Sequence, residues 1–378
     1  MPRSFVAVLL AFPLLAFAQA PAELQLRPSV VGRAWVLADV SSGQILAAEK
    51  PDESFEPASL TKLMTAYLVF AALKENRLAL GEQVSVSEKA WRAPGSRMFI
   101  EPGRPVTVDE LIRGMIVQSG NDACIALAER VAGSEEAFAG MMNREAERLG
   151  MKNSKFMNAS GLPDPQHYAT ARDLYLLASA LVRDHPEQYA QYYSQREFRY
   201  NGITQMNRNR LLWLDATVDG MKTGFTEAAG YCLVASSKRG PRRLLSVLLG
   251  STSESARAQE SQKLLNWGFQ SFDAVRVYAQ GEAVKQIEVW KGARPSLKAG
   301  FSRDLVVTVP KGEAGKLKAE LLSHTPLVAP VAEGGRVGML RVTLDGKALG
   351  EYPVLALETV PEAGLFGRAW DTLRLWFK

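Results

Sequence analysis

Ser59 and Lys62 stand three residues apart in Pro57-Ala58-Ser59-Leu60-Thr61-Lys62, and the run behind them, Leu63-Met64-Thr65-Ala66-Tyr67-Leu68-Val69-Phe70, is apolar on every side. Pro57 and Ser59 suit a helix start, and an all-round apolar run suits a helix buried in the middle of a domain. On a helix, that spacing puts hydroxyl and amine on one face. Burial and the positive end of the helix dipole both disfavour an ammonium there, so Lys62 is expected to lose its proton readily and to take one from Ser59. The chemistry would be that of an activated nucleophile without a histidine. Alone, the spacing is weak, because a capping serine and a lysine reaching water from the first turn would read the same.

Two more clusters follow, Ser119-Gly120-Asn121 and Lys222-Thr223-Gly224. Ser119 can pass a proton between Lys62 and a leaving nitrogen, and Asn121 carries both a donor and an acceptor for a substrate amide. Lys222 offers a cation and Thr223 a hydroxyl to a free carboxylate, while Gly224 lets a substrate backbone lie against a strand. Arg208 is a second cation for that carboxylate. The backbone N–H groups of Ser59 and Phe225 are candidates for an oxyanion hole. Each cluster has an ordinary structural explanation: a capped turn at Asn121, a β-turn at Lys-Thr-Gly, a solvated Arg208. The weight lies in the three occurring together in this order.

A chain of 378 residues, 47% hydrophobic, is long enough for two cores. Residues 1–18 have a charged start, a short apolar stretch from Phe5 to Leu15 and the small-residue ending Ala16-Phe17-Ala18, the pattern of a signal peptide cleaved before Gln19. Export would place the protein outside the cytoplasm. Two cysteines, Cys124 and Cys232, are too few for a disulfide framework; both are read as buried free thiols, with a bridge between them the alternative. No Cys/His cluster points to a metal, and no cofactor is expected. The three histidines, His167, His185 and His324, are assigned to surface or packing, so a Ser-His-Asp triad is a poor alternative. A net charge of +5 without a basic, aromatic-interleaved cluster gives no case for nucleic acid.

These residues need elements to hold them. Alternation predicts a hairpin over Ala34–Val40 and Gln44–Ala48 ahead of the Ser59 helix, and Gly and Pro mark a loop over Trp91–Pro102. Thr107 with Glu110 forms a capping box for a helix to about Val117. Ser119-Gly120-Asn121 breaks it before a second helix, Asp122–Val131. Helices at Glu135–Leu149 and Ala171–Arg183 follow, then a hairpin or extended loop over Phe198–Leu214 carrying Arg208. Val218–Phe225, Gly230–Ser237 and Arg242–Leu249 read as adjacent antiparallel strands with Lys222-Thr223-Gly224 on an edge, and a helix from Glu254 to Phe272 closes the unit. The fold class is layered α/β: an antiparallel sheet with helices on both faces and a helical subdomain, over residues 19–274. Residues 275–360 read as a small all-β domain. Residues 361–378 form an amphipathic helix, with Leu365, Phe366, Ala369, Trp370, Leu373, Trp376 and Phe377 on one side, suited to lie at a lipid headgroup layer.

Pro-Ala-Ser59-Leu-Thr-Lys62, Leu111–Cys124 with its Ser119-Gly-Asn121, Asn207-Arg208-Asn209 and Val218–Gly224 together resemble the low-molecular-mass penicillin-binding proteins of the type 5 and 6 class, which are D-alanyl-D-alanine carboxypeptidases. The resemblance runs from about residue 25 to the end of the chain. It implies a Gram-negative periplasmic enzyme that removes the terminal D-alanine of the peptidoglycan pentapeptide; peripheral anchoring to the inner membrane is expected from the C-terminal helix. Ser59 would be acylated, Lys62 would be the base, Ser119 and Asn121 would assist, and Lys222 with Arg208 would hold the terminal carboxylate. β-Lactam antibiotics would be covalent inhibitors, lipid a partner of the C-terminal helix, and a homodimer is left open. A DD-endopeptidase, a β-lactamase and a non-catalytic peptidoglycan-binding envelope protein are the competing readings. The chain departs from many relatives in having Phe225 where a histidine follows Lys-Thr-Gly, and its Trp91–Pro102 loop is shorter than in some.

Overall fold

The computed structural model describes residues 27–323 and 326–375. The leader at 1–18 with Gln19, His324, and the terminal Trp376 and Phe377 lie outside the described residues.

The first domain is built on one five-stranded antiparallel sheet of β1 (Ala34–Asp39), β2 (Gln44–Glu49), β3 (Val218–Thr226), β4 (Gly230–Arg239) and β5 (Arg242–Ser251), in the order β2-β1-β5-β4-β3. Alternation along β1 sorts its side chains. Trp35 and Leu37 pack with Leu233, Leu244 and Leu248 under helix α6 (Glu254–Ser271), whereas Ala34, Val36 and Ala38 face a larger helical core. That core contains α1 (Lys62–Lys74), α2 (Val108–Val117), α3 (Asn121–Ala132), α4 (Glu135–Arg148) and α5 (Ala171–Asp184). Helix α1 runs through its centre with residues 62–70 all buried, as an all-round apolar run requires. The Thr107–Glu110 capping box is present, and Thr170 caps α5. Strand β3 is an edge strand, so Lys222-Thr223-Gly224 sits beside an open edge as expected.

Phe272–Tyr278 follows α6 directly and pairs with Leu305–Pro310; beyond it a six-stranded sheet forms a separate core around Val289, Leu297, Val342 and Val354. The strands Ala283–Trp290, Arg336–Leu344 and Lys347–Ala356 agree with the all-β reading of this region. Ser296–Gly300 and Leu317–Ser323 are strands that sequence reading missed, as it did the helix Pro186–Tyr192. Leu-Lys-Ala-Glu-Leu-Leu in the second of these strands has no β-branched residue, and only pairing with Arg336–Leu344 makes it a strand. The domains are fastened at Thr308, whose N–H donates to Gln44 Oε1 at 2.6 Å and whose carbonyl accepts from Gln44 Nε2 at 3.1 Å. Its hydroxyl donates to the fully buried Asp39 carboxylate, which also receives Arg242 Nε at 2.6 Å.

Helix α7 (Leu365–Leu375) turns its polar side inward: Asp371 Oδ2 accepts from Lys291 N at 2.6 Å, and the Arg374 guanidinium lies 5.4 Å from the Trp290 ring centroid. Its large apolar side chains face out, with Phe366 95% and Trp370 64% exposed. Among the described residues, no helix is long and apolar enough to cross a membrane.

Candidate active site

Ser59 is not the cap of a long helix. Residues Ala58–Thr61 form a 3-10 turn capped by Pro57, and α1 begins at Lys62. The correction leaves the chemistry in place, because side chains three apart eclipse one another in a 3-10 turn. Lys62 Nζ donates to Ser59 Oγ at 3.0 Å. Two further acceptors hold the amine, Asn121 Oδ1 at 2.7 Å and the Ser160 carbonyl at 2.6 Å. Lys62 is 1% exposed, and burial pulls its pKa down to about 8, with the Arg208 charge adding to the effect and Cys124 and Asp122 opposing it.

The turn Asn158–Leu162, which sequence reading passed over, supplies the Ser160 carbonyl. Asn158 Oδ1 accepts from the N–H groups of Ser160, Gly161 and Leu162 at 3.2, 2.8 and 3.1 Å, and Thr65 Oγ1 donates to the Ala159 carbonyl at 2.6 Å. The available signal was the Asn-Ala-Ser-Gly tetrapeptide, a side-chain-closed turn ending on a glycine that here has φ +84°. Thr61 of the 3-10 turn contacts His167 across 3.0 Å from Oγ1 to Nε2. His167 is buried, which lowers its pKa to about 4, and His185 packs on Tyr67 and Phe70, so both are packing residues.

Ser119 and Asn121 lie on the tight turn between α2 and α3, Ser119 in the left-handed region with φ +69°. Asn121 is already engaged at both ends of its amide, which leaves one N–H and one oxygen lone pair for a substrate. Its Oδ1 is taken by Lys62, and its Nδ2 donates to the Pro94 carbonyl at 2.7 Å. The next residue, Asp122, is buried outright. Its carboxylate accepts the N–H groups of Met98, Phe99 and Ile100 at 3.0, 2.8 and 3.3 Å, together with its own neighbour Ala123 at 2.9 Å. Cys124, one residue on, and Cys232 are both buried free thiols, without a bridge.

Across from these groups runs β3. Gly224 lies close to the Ser59 turn: a β-carbon there would stand a tight 3.2 Å from the Pro57 carbonyl oxygen and 3.3 Å from Leu60 Cγ. Its lack of a side chain thus lets the edge strand lie against the Ser59 turn. Lys222 is buried, and its ammonium reaches only the neighbouring Thr223 carbonyl, at 3.1 Å; it has no carboxylate partner among the described residues. Burial pushes its pKa well down, and Lys62, Arg208 and Arg257 push the same way. Arg208 is exposed just beyond the hairpin Glu197–Tyr200/Ile203–Met206 and has no ion-pair partner among the described residues. Arg257, absent from the sequence reading, is buried on α6 and donates to the Gly224 carbonyl at 3.2 Å. The Phe225 side chain, half exposed, rests on Tyr231 with ring centroids 4.5 Å apart. The whole is a serine hydroxyl in contact with a buried amine, beside basic groups with no carboxylate partner among the described residues. No group of residues that could hold a metal occurs among the described residues.

A family model described as D-alanyl-D-alanine carboxypeptidase matches residues 20–253, and one described as penicillin-binding protein 5, C-terminal domain, matches residues 272–362. The chain is 45% identical to the D-alanyl-D-alanine carboxypeptidase DacC of Escherichia coli over 358 residues, 93% of this chain and 89% of that one. Penicillin-binding protein 5 from Haemophilus influenzae has a similar solved structure, with a TM-score of 0.84 at 39% identity, covering 89% of this chain and 99% of that one. Penicillin-binding protein D2 from Listeria monocytogenes, in its ampicillin-bound form, matches at a TM-score of 0.60 and 32% identity, over 65% of this chain and 100% of that chain.

Proposed function

The chain belongs to the D-alanyl-D-alanine carboxypeptidase family, and from that premise we propose that it removes the terminal D-alanine of peptidoglycan pentapeptides through an acyl-enzyme on Ser59. The observation that carries this reading is the 3.0 Å contact from Lys62 Nζ to Ser59 Oγ, made by a buried amine whose pKa is lowered to about 8. The neutral amine takes the hydroxyl proton as Ser59 Oγ attacks the penultimate carbonyl carbon. The oxyanion is received by the N–H groups of Ser59, in a first turn that leaves such groups free, and of Phe225. As the C–N bond breaks, Ser119 relays the proton to the departing D-alanine amine. Water then attacks the ester, with Lys62 again accepting a proton, and Ser59 is regenerated. Asn121 serves by holding Lys62. Lys222, Thr223 and Arg208 bind the substrate's free carboxylate, the one fixed charge that a β-lactam shares with it, so β-lactams acylate the same serine.

The enzyme works in the periplasm, with the outward apolar side of α7 lying in the headgroup layer of the inner membrane. Incubation with labelled penicillin and mapping of the modified peptide tests the assignment. Label on the Ser59 peptide and its loss in Ser59→Ala, along with D-alanine release, are expected; label on any other serine would sink it.

A further inference from the structure

Loops beside an active site are mobile unless tied down, and the segment Pro94–Ile100 is tied down by two consecutive residues of α3. Asn121 takes its near half: the backbone N–H donates to the Ser96 carbonyl at 2.7 Å, and the side-chain amide donates to the Pro94 carbonyl at 2.7 Å. Asp122 takes its far half through the N–H groups of Met98, Phe99 and Ile100. Phe99 is held in the left-handed region, with φ +67°, where the three amides converge on one carboxylate. The same Asn121 amide accepts from Lys62 through its other end.

The geometry points to Asp122 as a positioning residue: its carboxylate latches Pro94–Ile100 onto the turn that carries Ser119 and Asn121, and through Asn121 that segment sets where the Lys62 amine stands. The inference rests on Lys62 acting as the base. A carboxylate is suited to this task because it is acceptor-only and can receive several N–H groups at once, whereas an amide of the same shape would turn a donor toward one pair of them. Burial raises the pKa of this carboxylate, which has no cationic partner among the described residues, and those N–H groups, with the first turn of α3 to which it belongs, oppose the rise.

The test compares acylation by labelled penicillin in the full chain and in three variants. Asp122→Asn keeps the shape and breaks the latch. Gly95→Ala disturbs the segment from its other side, since Gly95 is exposed, has φ +80°, and a β-carbon there would stand 3.0 Å from Asn121 Nδ2. Asp173→Asn is the control: it is another buried carboxylate holding a loop, through Asn153 N and Ser154 Oγ at 2.8 Å each, outside the site. Asp122→Asn and Gly95→Ala should each slow acylation about tenfold or more, and the double variant should be no slower than the worse single one, because both act through one segment.

The pH profile separates positioning from loss of stability. The Asp122 carboxylate favours the Lys62 ammonium, and Arg208 and Lys222 disfavour it, while burial pushes the neighbouring Cys124 thiol up to about 12 and keeps it neutral. Removing the Asp122 charge should therefore move the acid limb of acylation to lower pH, a shift that a fall in stability does not produce. Asp173→Asn should lower the unfolding midpoint and leave the acylation rate within about twofold. Wild-type rates in both site variants, multiplying effects, an unmoved limb, or equal slowing by Asp173→Asn would each overturn the latch. If Asp122→Asn does not fold, Gly95→Ala decides: slowing supports the latch and a wild-type rate overturns it. Unlabelled Ser59 in the wild-type chain would remove the premise itself.

Discussion

Gly161 and Ala58 are packed so closely that a β-carbon on Gly161 would lie 1.8 Å from the Ala58 carbonyl oxygen. Both residues are in the left-handed region, Ala58 at φ +46° and Gly161 at φ +84°. The turn that holds Lys62 from one side therefore also braces the backbone that carries Ser59. Gly161→Ala forces them apart, at a cost of about 1–3 kcal/mol for overpacking plus the strain of a left-handed alanine. We expect a lower denaturation midpoint and a still larger relative loss of penicillin labelling. Normal labelling in a destabilised variant would show that the turn matters to folding alone.

The pH dependence of acylation follows from Lys62. Its folded pKa of about 8 lies below the ordinary lysine value of 10.5, and in the proposed mechanism the neutral form is the reactive one. At pH 7 only about a tenth of the amine is neutral, so the acylation rate should rise roughly tenfold between pH 7 and 9. The stability effect has the same sign: the unfolded chain binds the proton more tightly between the two pKa values, so the folded state gains stability as pH rises from about 8 towards 10.5. Stopped-flow labelling across pH checks the first effect, and a flat profile would remove Lys62 as base.

Lys222 is a buried amine next to other basic groups, so its ammonium form is disfavoured until an anion arrives. Lys222→Ala should lower kcat/KM for a free-carboxylate peptide by about 30- to 1000-fold, or roughly 2–4 kcal/mol of transition-state stabilisation. The preference for acid over amide-blocked peptide should shrink with it; an unchanged preference would assign the carboxylate elsewhere.

Phe225 is half exposed and supported on one side by Tyr231, so its replacement should not disturb the core. If the site uses only its N–H, Phe225→His leaves acylation by penicillin within about threefold and changes mainly the hydrolysis of the acyl-enzyme. A large fall in acylation would show that the ring itself shapes the substrate channel.

The outward apolar side of α7 has no protein surface over it among the described residues, while its polar side is bonded to Lys291. Removal of residues 364–378 should abolish sedimentation with vesicles of anionic phospholipid and leave hydrolysis of a small soluble peptide unchanged. Continued sedimentation of the shortened chain would refute the anchor.

Much of the molecule was legible in residue order alone. An apolar run without a polar face marked α1 as buried, Thr107 and Glu110 marked the start of α2, and the alternation from Val218 to Leu249 gave three adjacent strands with Lys222 on an edge, because these signals are local and each element carries its own. The three catalytic-looking clusters were legible for the same reason. Tertiary structure decided what touches them. The Ser160 carbonyl reaches Lys62 from far along the chain, Arg257 comes to Gly224 from another helix, and three loop amides converge on Asp122. It also decided that the Asn121 amide bonds to Lys62 and Pro94, and that Gly224 lies close against the Ser59 turn. Such pairings leave no periodic trace in a single sequence. A hydrogen bond or a close approach is set by where two backbones meet, and that is determined only once the sheet and the helical core have packed together.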